Sequence, residues 1–144
     1  MSILSVEELY SNQQVVTADA ASTNVIDHGL PGTWIHASTP IVDEKGTSNI
    51  CLGVVVTEDF DALTSINVSF QTDSTAGFGS PTTVYTENIL LADLVAGKKL
   101  AVRTIPYGTL EQFTRFNYDV VGTNPTVGKI TAGIIQLESA FGSR

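Results

Sequence analysis

The chain has 144 residues, the usual length of a single domain, and its 42% hydrophobic content excludes an intrinsically disordered protein. Fifteen Asp and Glu residues against seven Lys and Arg give a net charge of −8, which argues against DNA, RNA or an anionic membrane as the main partner. The single cysteine, Cys51, excludes an intrachain disulfide framework. We expect neither a signal peptide in Met1–Tyr10 nor a membrane span, because apolar runs are only about four or five residues long.

Period-two alternation of apolar and polar residues is the main secondary-structure signal. It is clearest in Ser65–Thr72, where Ile66, Val68 and Phe70 fall on one face. In chain order, the predicted strands are Gln14–Thr17, Thr23–Asp27, Leu52–Val56, Ser65–Thr72, Thr82–Thr86, Leu100–Ile105, Phe116–Val120 and Gly128–Ile134. Two short helical turns are predicted, at Ser5–Glu8 and at Thr57–Leu63, where Thr57 would be the N-cap.

About eight short strands without βαβ alternation indicate an antiparallel sandwich or barrel. We predict an all-β, antiparallel jelly-roll sandwich over residues 13–144, preceded by an N-terminal arm over residues 1–12. The residues expected to be buried between its sheets are Ile66, Val68, Phe70, Phe116, Tyr118 and Ile134.

No arrangement of residues predicts catalysis. His28 and His36 are the only histidines, so a cupin-type metal site would lack its third imidazole. No G-x-S-x-G motif surrounds a serine, and Cys51 at the start of an apolar strand is expected to be a small buried hydrophobic residue. We therefore expect no catalytic residue, no metal and no cofactor, and hence no enzyme.

The tightest group of carboxylates is Glu58, Asp59 and Asp61. The calcium-binding EF-hand pattern is absent, and Phe60 and Ala62 interrupt the group. The sequence predicts a solvated helical turn on an acidic surface.

A resemblance to a known family extends over nearly the whole chain, in order. Asn12–Asp27 reads NQQVVTADAASTNVID and resembles the N-terminal signature of the capsid cement (decoration) proteins of tailed bacteriophages of the Bordetella-phage type. The turn Gly29–Thr33 follows, as in that family. Further similar segments are Val56–Phe60, Leu63–Ser65, Phe78–Val84, Leu91–Gly97, Arg115–Thr123 and Gly128–Ile134. The chain departs from the pattern at His28 and over Thr39–Asn49.

The resemblance implies a jelly-roll protein that bridges major capsid subunits and is symmetric about a local twofold axis. The expected location is the outer surface of the capsid in the virion, after synthesis in the host cytoplasm. The expected partners are the major capsid protein and a second copy of the chain, with a dimer favoured and a trimer as the alternative. A carbohydrate-binding jelly roll of lectin or tail-fibre type is the main competing hypothesis, and it would expose aromatic residues on one face. A cupin-like isomerase or dioxygenase ranks third because of its histidine requirement.

Six apolar residues are candidates for contact with the capsid or with another copy. Those in the arm would expose too much apolar surface as a free tail, and they are Ile3, Leu4, Leu9 and Tyr10. Trp34 is either an interface anchor or a core residue between the sheets. Phe78, flanked by Gly77 and Gly79, either enters a partner pocket or covers its own sandwich.

Overall fold

Two antiparallel β-sheets dominate the computed structural model, which describes residues 9–28, 35, 50–104 and 111–136. The strands of this described part are β1 Leu9–Val15, β2 Ala20–Ala21, β3 Ile26–Asp27, β4 Ile50–Glu58, β5 Leu63–Asp73, β6 Thr82–Leu90, β7 Lys99–Thr104, β8 Phe113–Gly122 and β9 Lys129–Gln136. One turn of 3₁₀ helix, Leu91–Asp93, follows β6.

The order of the strands is that of a jelly roll. The first sheet runs β1-β9-β4-β7 and the second runs β2-β8-β5-β6, with every neighbouring pair antiparallel. Strand β3 pairs with β8 beside β2, so the two short strands form one interrupted edge. The chain therefore crosses repeatedly between the sheets, and the predicted all-β jelly-roll sandwich is confirmed.

The inward faces of the two sheets meet in one hydrophobic core. At its centre the ring of Tyr10 meets Phe70 and Phe116 edge to face, with centroids 5.7 and 5.2 Å away. Five of the predicted core residues are fully buried, namely Ile66, Val68, Phe70, Phe116 and Tyr118. The sixth, Ile134, is partly buried and packs against this core.

Strand β1 begins at Leu9, so residues 9–12 of the segment expected to form an arm belong to the first sheet. The alternation of apolar and polar residues that would predict a strand here is interrupted. Strand β1 has two register shifts against β9, and Gln13 has a left-handed backbone with φ 48°. Residues 1–8, with the helical turn expected at Ser5–Glu8, lie outside the described residues.

The helical turn predicted at Thr57–Leu63 is wrong. Thr57 continues β4 and Leu63 begins β5, which leaves only the short loop 59–62 between the two sheets. Ala62 takes a left-handed φ of 64°, which reverses the chain within this loop. The acidic residues Glu58, Asp59 and Asp61 do not form a first helical turn. They accept hydrogen bonds from backbone N–H groups of other loops.

Four connections lie at one end of the sandwich, because antiparallel pairing brings the ends of β1, β4, β6 and β8 together. We call this the loop end, and it comprises residues 16–19, 59–62, 91–98 and 123–128. The loop 74–81 lies at the opposite end. Within the described ranges, no helix is long and apolar enough to cross a bilayer.

Candidate functional site

The residues predicted to contact a partner are mostly internal where the structure describes them. Tyr10 is completely buried, and Leu9 and Phe78 are almost so. Their apolar character is explained by the domain's own core, and the ring of Tyr10 is not available to a partner. Ile3, Leu4 and Trp34 lie outside the described residues.

Phe78 covers its own sandwich, which was the second of its two interpretations. The guanidinium of Arg115 lies 4.3 Å from the centroid of its ring, in a cation–π contact. Arg115 is fixed in turn, because its Nε donates to Gln71 Oε1 at 2.9 Å. This contact accounts for the aromatic residue in a loop that otherwise consists of small and polar residues.

Asp73 holds the loop that carries Phe78. Its Oδ1 accepts hydrogen bonds from the N–H and hydroxyl of Thr75, at 2.9 and 3.1 Å, and its Oδ2 accepts from the Ser80 N–H at 3.0 Å. The Thr75 N–H contributes most to holding the pKa of the Asp73 carboxyl below its ordinary value. The loop is therefore ordered by a charged residue at its base.

His28 has a structural position. Its Nε2 lies 2.8 Å from Thr114 Oγ1, and the same hydroxyl lies 2.7 Å from the Tyr10 hydroxyl. These contacts connect the edge of the second sheet to the centre of the core. His36 lies outside the described residues, and within the described part no group of three or more His, Cys, Asp or Glu could hold a metal ion.

The carboxylates near the loop end join separate loops to one another. Asp61 reaches loop 123–128, where it accepts from the Thr126 N–H at 2.6 Å, from the Thr126 hydroxyl at 2.5 Å and from the Val127 N–H at 3.3 Å. The Thr126 hydroxyl is the largest cause that holds the pKa of Asp61 below its ordinary value. Asp61 therefore stays ionised at neutral pH.

Asp59 and Glu58 also accept hydrogen bonds from backbone N–H groups of other loops. Asp59 Oδ1 accepts from the Ala96 N–H at 2.6 Å, which joins loop 59–62 to loop 91–98. Glu58 forms an ion pair of 3.2 Å with Lys129 and accepts from the Gly128 N–H at 3.3 Å. Three neighbouring acids thus satisfy backbone donors on two other loops.

Backbone hydrogen bonds and buried side chains complete the loop end. The Phe60 N–H donates to Leu94 O at 3.1 Å, and the Val16 N–H donates to Gly128 O at 3.1 Å. The side chains of Val16, Phe60 and Leu94 are buried beneath the loops. Gly128 packs directly on the Phe60 ring, where a Cβ would overlap the ring. All four loops are therefore joined to one another by hydrogen bonds.

Exposed aliphatic side chains lie within or beside these joined loops. The described part of the chain has seven large hydrophobic residues that are exposed. Val95 and Val127 belong to the loop end, and Val15, Leu90 and Val121 lie within two residues of it in the adjoining strands. Within the part of the chain that the structure describes, these side chains make the loop end the candidate interaction surface.

The outer face of the second sheet is a different kind of surface. Short amide and hydroxyl side chains bond across its strands: Asn88 Nδ2 donates to Asn67 Oδ1 at 2.7 Å, and Ser69 and Thr86 share a hydrogen bond of 3.0 Å. In addition, Asn117 Nδ2 donates to Asp119 Oδ1 at 2.8 Å. These polar groups already have partners within the sheet, and within the described ranges no aromatic ring is exposed on this face or elsewhere.

The loop-end surface was not predicted from the sequence. The cluster Glu58, Asp59 and Asp61 by itself indicates only a solvated acidic turn. The contacts of these residues are not visible in the sequence, because their backbone partners lie between 37 and 70 positions further along the chain. One local signal was available: carboxylates immediately after a strand are well placed to accept N–H groups from neighbouring loops.

Comparison with known protein families identifies a family for this chain. The family model described as Bbp16 matches residues 10–134, which includes every strand from β2 to β8 and most of β1 and β9. No curated protein matches the chain.

Proposed function

Because the chain belongs to the Bbp16 family, a family of Bordetella-phage proteins, we propose that it is a structural cement protein of the phage head. In this role it binds the outside of the capsid and bridges neighbouring major capsid subunits, which it stabilises without any catalysed reaction. The observation that carries the proposal is the family match over residues 10–134.

The hydrogen bonds that join the loops to one another support this role. A bridging protein stabilises a shell only if it resists deformation between its points of contact. Here Asp59 and Asp61 join three loops through hydrogen bonds, and Val16 joins the fourth. These contacts lower the conformational entropy that would otherwise be lost when the loop end binds.

The acidic character of the chain supports the choice of partner. A net charge of −8 favours association with a basic protein surface and disfavours direct contact with nucleic acid. Two copies related by a twofold axis would double the number of contacts with a repeating shell and add avidity. We therefore propose a homodimer on the capsid, with a trimer as the alternative.

The competing hypothesis is a carbohydrate-binding jelly roll. The amide and hydroxyl side chains of the second sheet, such as Asn67 and Asn88, are groups that hydrogen-bond to sugars. However, these groups bond to one another, and the described residues expose no aromatic ring on which a sugar could stack. This arrangement favours the structural role.

Purified phage particles provide the test. Heads from a phage lacking the gene for this chain are mixed with the purified protein, and binding is measured by co-sedimentation and by cryo-electron microscopy. We expect saturable binding at regular positions on the outer shell. Absence of the chain from wild-type particles, together with no binding to the deficient heads, would overturn the proposal. Binding to a glycan array would favour the carbohydrate hypothesis instead.

A further inference from the structure

Among the described residues, most of the exposed aliphatic side chains lie in or beside the loop end. Val95 and Val127 lie in two different loops at the same end, and Val15, Leu90 and Val121 are at strand ends that lead into these loops. Single exposed hydrophobic residues are normal on protein surfaces, but several of them on neighbouring, mutually bonded loops offer a surface to which a partner can bind.

The backbone around Val95 and Val127 is held in place by the carboxylates of Asp59 and Asp61. The Asp61 carboxylate bonds to the N–H of Val127 itself, and Asp59 bonds to the N–H of Ala96, next to Val95. Both valines are therefore presented from fixed positions. A surface that is ordered before binding loses less entropy when a partner binds, so a small apolar area contributes more to affinity.

Charge determines which partner fits. Five carboxylates, Asp19, Glu58, Asp59, Asp61 and Asp93, and three lysines, Lys98, Lys99 and Lys129, lie in or next to the four loops, which leaves an excess of two negative charges. Two of the lysines form ion pairs with Asp93 and Glu58, at 3.1 and 3.2 Å. A basic surface therefore complements this end better than an acidic one.

We propose that the loop end is the surface through which the chain binds the phage shell. The complementary site on the shell protein is a patch of aliphatic side chains bordered by Lys and Arg. This inference rests on the proposed function and adds to it the contact surface and the chemistry of the partner. The valines supply apolar contact, and the surrounding carboxylates supply orientation and salt-dependent attraction.

The test uses heads that lack this protein and three forms of the full chain. The double variant Val95→Ser/Val127→Ser removes apolar surface from the loop end without introducing charge. Val25→Ser is the matched control, because Val25 is 40% exposed, close to the 44% and 45% of Val95 and Val127, but lies between β2 and β3. Thermal unfolding of each variant verifies that it is folded.

We expect the double variant to bind the heads at least about tenfold more weakly than the unaltered chain, and the control to stay within about twofold. We also expect binding of the unaltered chain to weaken several-fold when NaCl is raised from about 50 to about 300 mM. Equal affinities for all three folded forms, or affinity independent of salt, would overturn this inference and leave the proposed function intact. Failure of the unaltered chain to bind would overturn both.

Discussion

The carboxylate of Asp61 lies in the loop between β4 and β5 and accepts two hydrogen bonds from Thr126, in the loop between β8 and β9. The two residues are 65 positions apart in the sequence. The contact fixes two crossings between the sheets relative to each other, because β4 and β9 belong to the first sheet and β5 and β8 to the second.

Replacement of Asp61 by Asn should lower the unfolding temperature at pH 7, because the charged acceptor of three hydrogen bonds is lost. The pKa of Asp61 in the folded protein lies below its ordinary value of 3.8, so its stabilising effect is present above that pH and is lost as the pH falls below it. The difference between the Asp61→Asn variant and the unaltered protein should therefore shrink below about pH 3.8. Thermal unfolding monitored by circular dichroism over a pH series measures it.

Glu111→Gln is the matched control for this experiment, since Glu111 is exposed and precedes β8 at the opposite end of the sandwich. It changes the charge equally and should leave the unfolding temperature nearly unchanged. An equal effect of the two substitutions would mean that net charge, rather than the contact with Thr126, is responsible.

Alanine substitutions at three glycines test separately the cost of a left-handed backbone and the cost of steric overlap. Gly128 has φ +141° and lies against the Phe60 ring, Gly97 has φ +86° in open space, and Gly77 has open space and no positive φ. Alanine at position 97 should cost about 1–2 kcal/mol from the left-handed conformation alone. Alanine at position 128 should cost at least about 2–3 kcal/mol, because the ring of Phe60 must also move. Alanine at position 77 should be neutral or slightly stabilising. Urea unfolding gives all three values, and a cost at position 128 no larger than at 97 would contradict the overlap.

A buried hydroxyl pair joins the two sheets. The hydroxyls of Ser11 and Tyr118 are 2.8 Å apart, and Ser11 Oγ donates to Gln14 Oε1 at 2.7 Å. Ser11 has one hydroxyl hydrogen, so Tyr118 donates to Ser11. Burial raises the pKa of the Tyr118 hydroxyl above its ordinary 10.0, which keeps this donor protonated.

Ser11→Ala should cost about 1–3 kcal/mol, because the Tyr118 hydroxyl is left buried without its acceptor, and Tyr118→Phe should cost about 0.5–1.5 kcal/mol. The double substitution should cost less than the sum of the two, since it removes the unsatisfied group as well. A double-mutant cycle by chemical unfolding measures this coupling. Simple additivity would show that the two hydroxyls do not depend on each other.

Deletion of residues 1–8 tests the N-terminal arm without removing any of β1. The shortened chain should unfold within a few degrees of the full chain, and loss of Ile3 and Leu4 should weaken its self-association, measured by light scattering. A deletion that also removes Leu9 and Tyr10 should cost at least about 3–5 kcal/mol, the usual cost of losing one aromatic core residue, because the buried Leu9 is lost as well. Unchanged self-association of the shorter deletion would refute the arm hypothesis.

The sequence predicted those elements whose two faces differ sharply. Strand β5 was located because Ile66, Val68 and Phe70 alternate with polar residues, and that alternation records which face meets the other sheet. The start of β1 was missed because bulges shift the register around Gln13. The roles of Asp59 and Asp61 were missed for another reason. Their partners are backbone N–H groups, which every sequence contains, and the hydroxyl of one of the chain's many threonines, so no residue type indicates where they are.

The pairing of β1 with β9 has a consequence for synthesis of the chain. The Gln13 N–H donates to Thr131 Oγ1 across 118 positions, and β2 likewise pairs with β8. As the protein emerges from the ribosome, its first strands must wait for the last ones before either sheet is complete. During that interval Leu9 and Tyr10 have no core to enter, and such non-local pairing slows folding. A messenger RNA truncated before codon 129 would therefore yield a chain that exposes its apolar strands and is a target for chaperones and proteases.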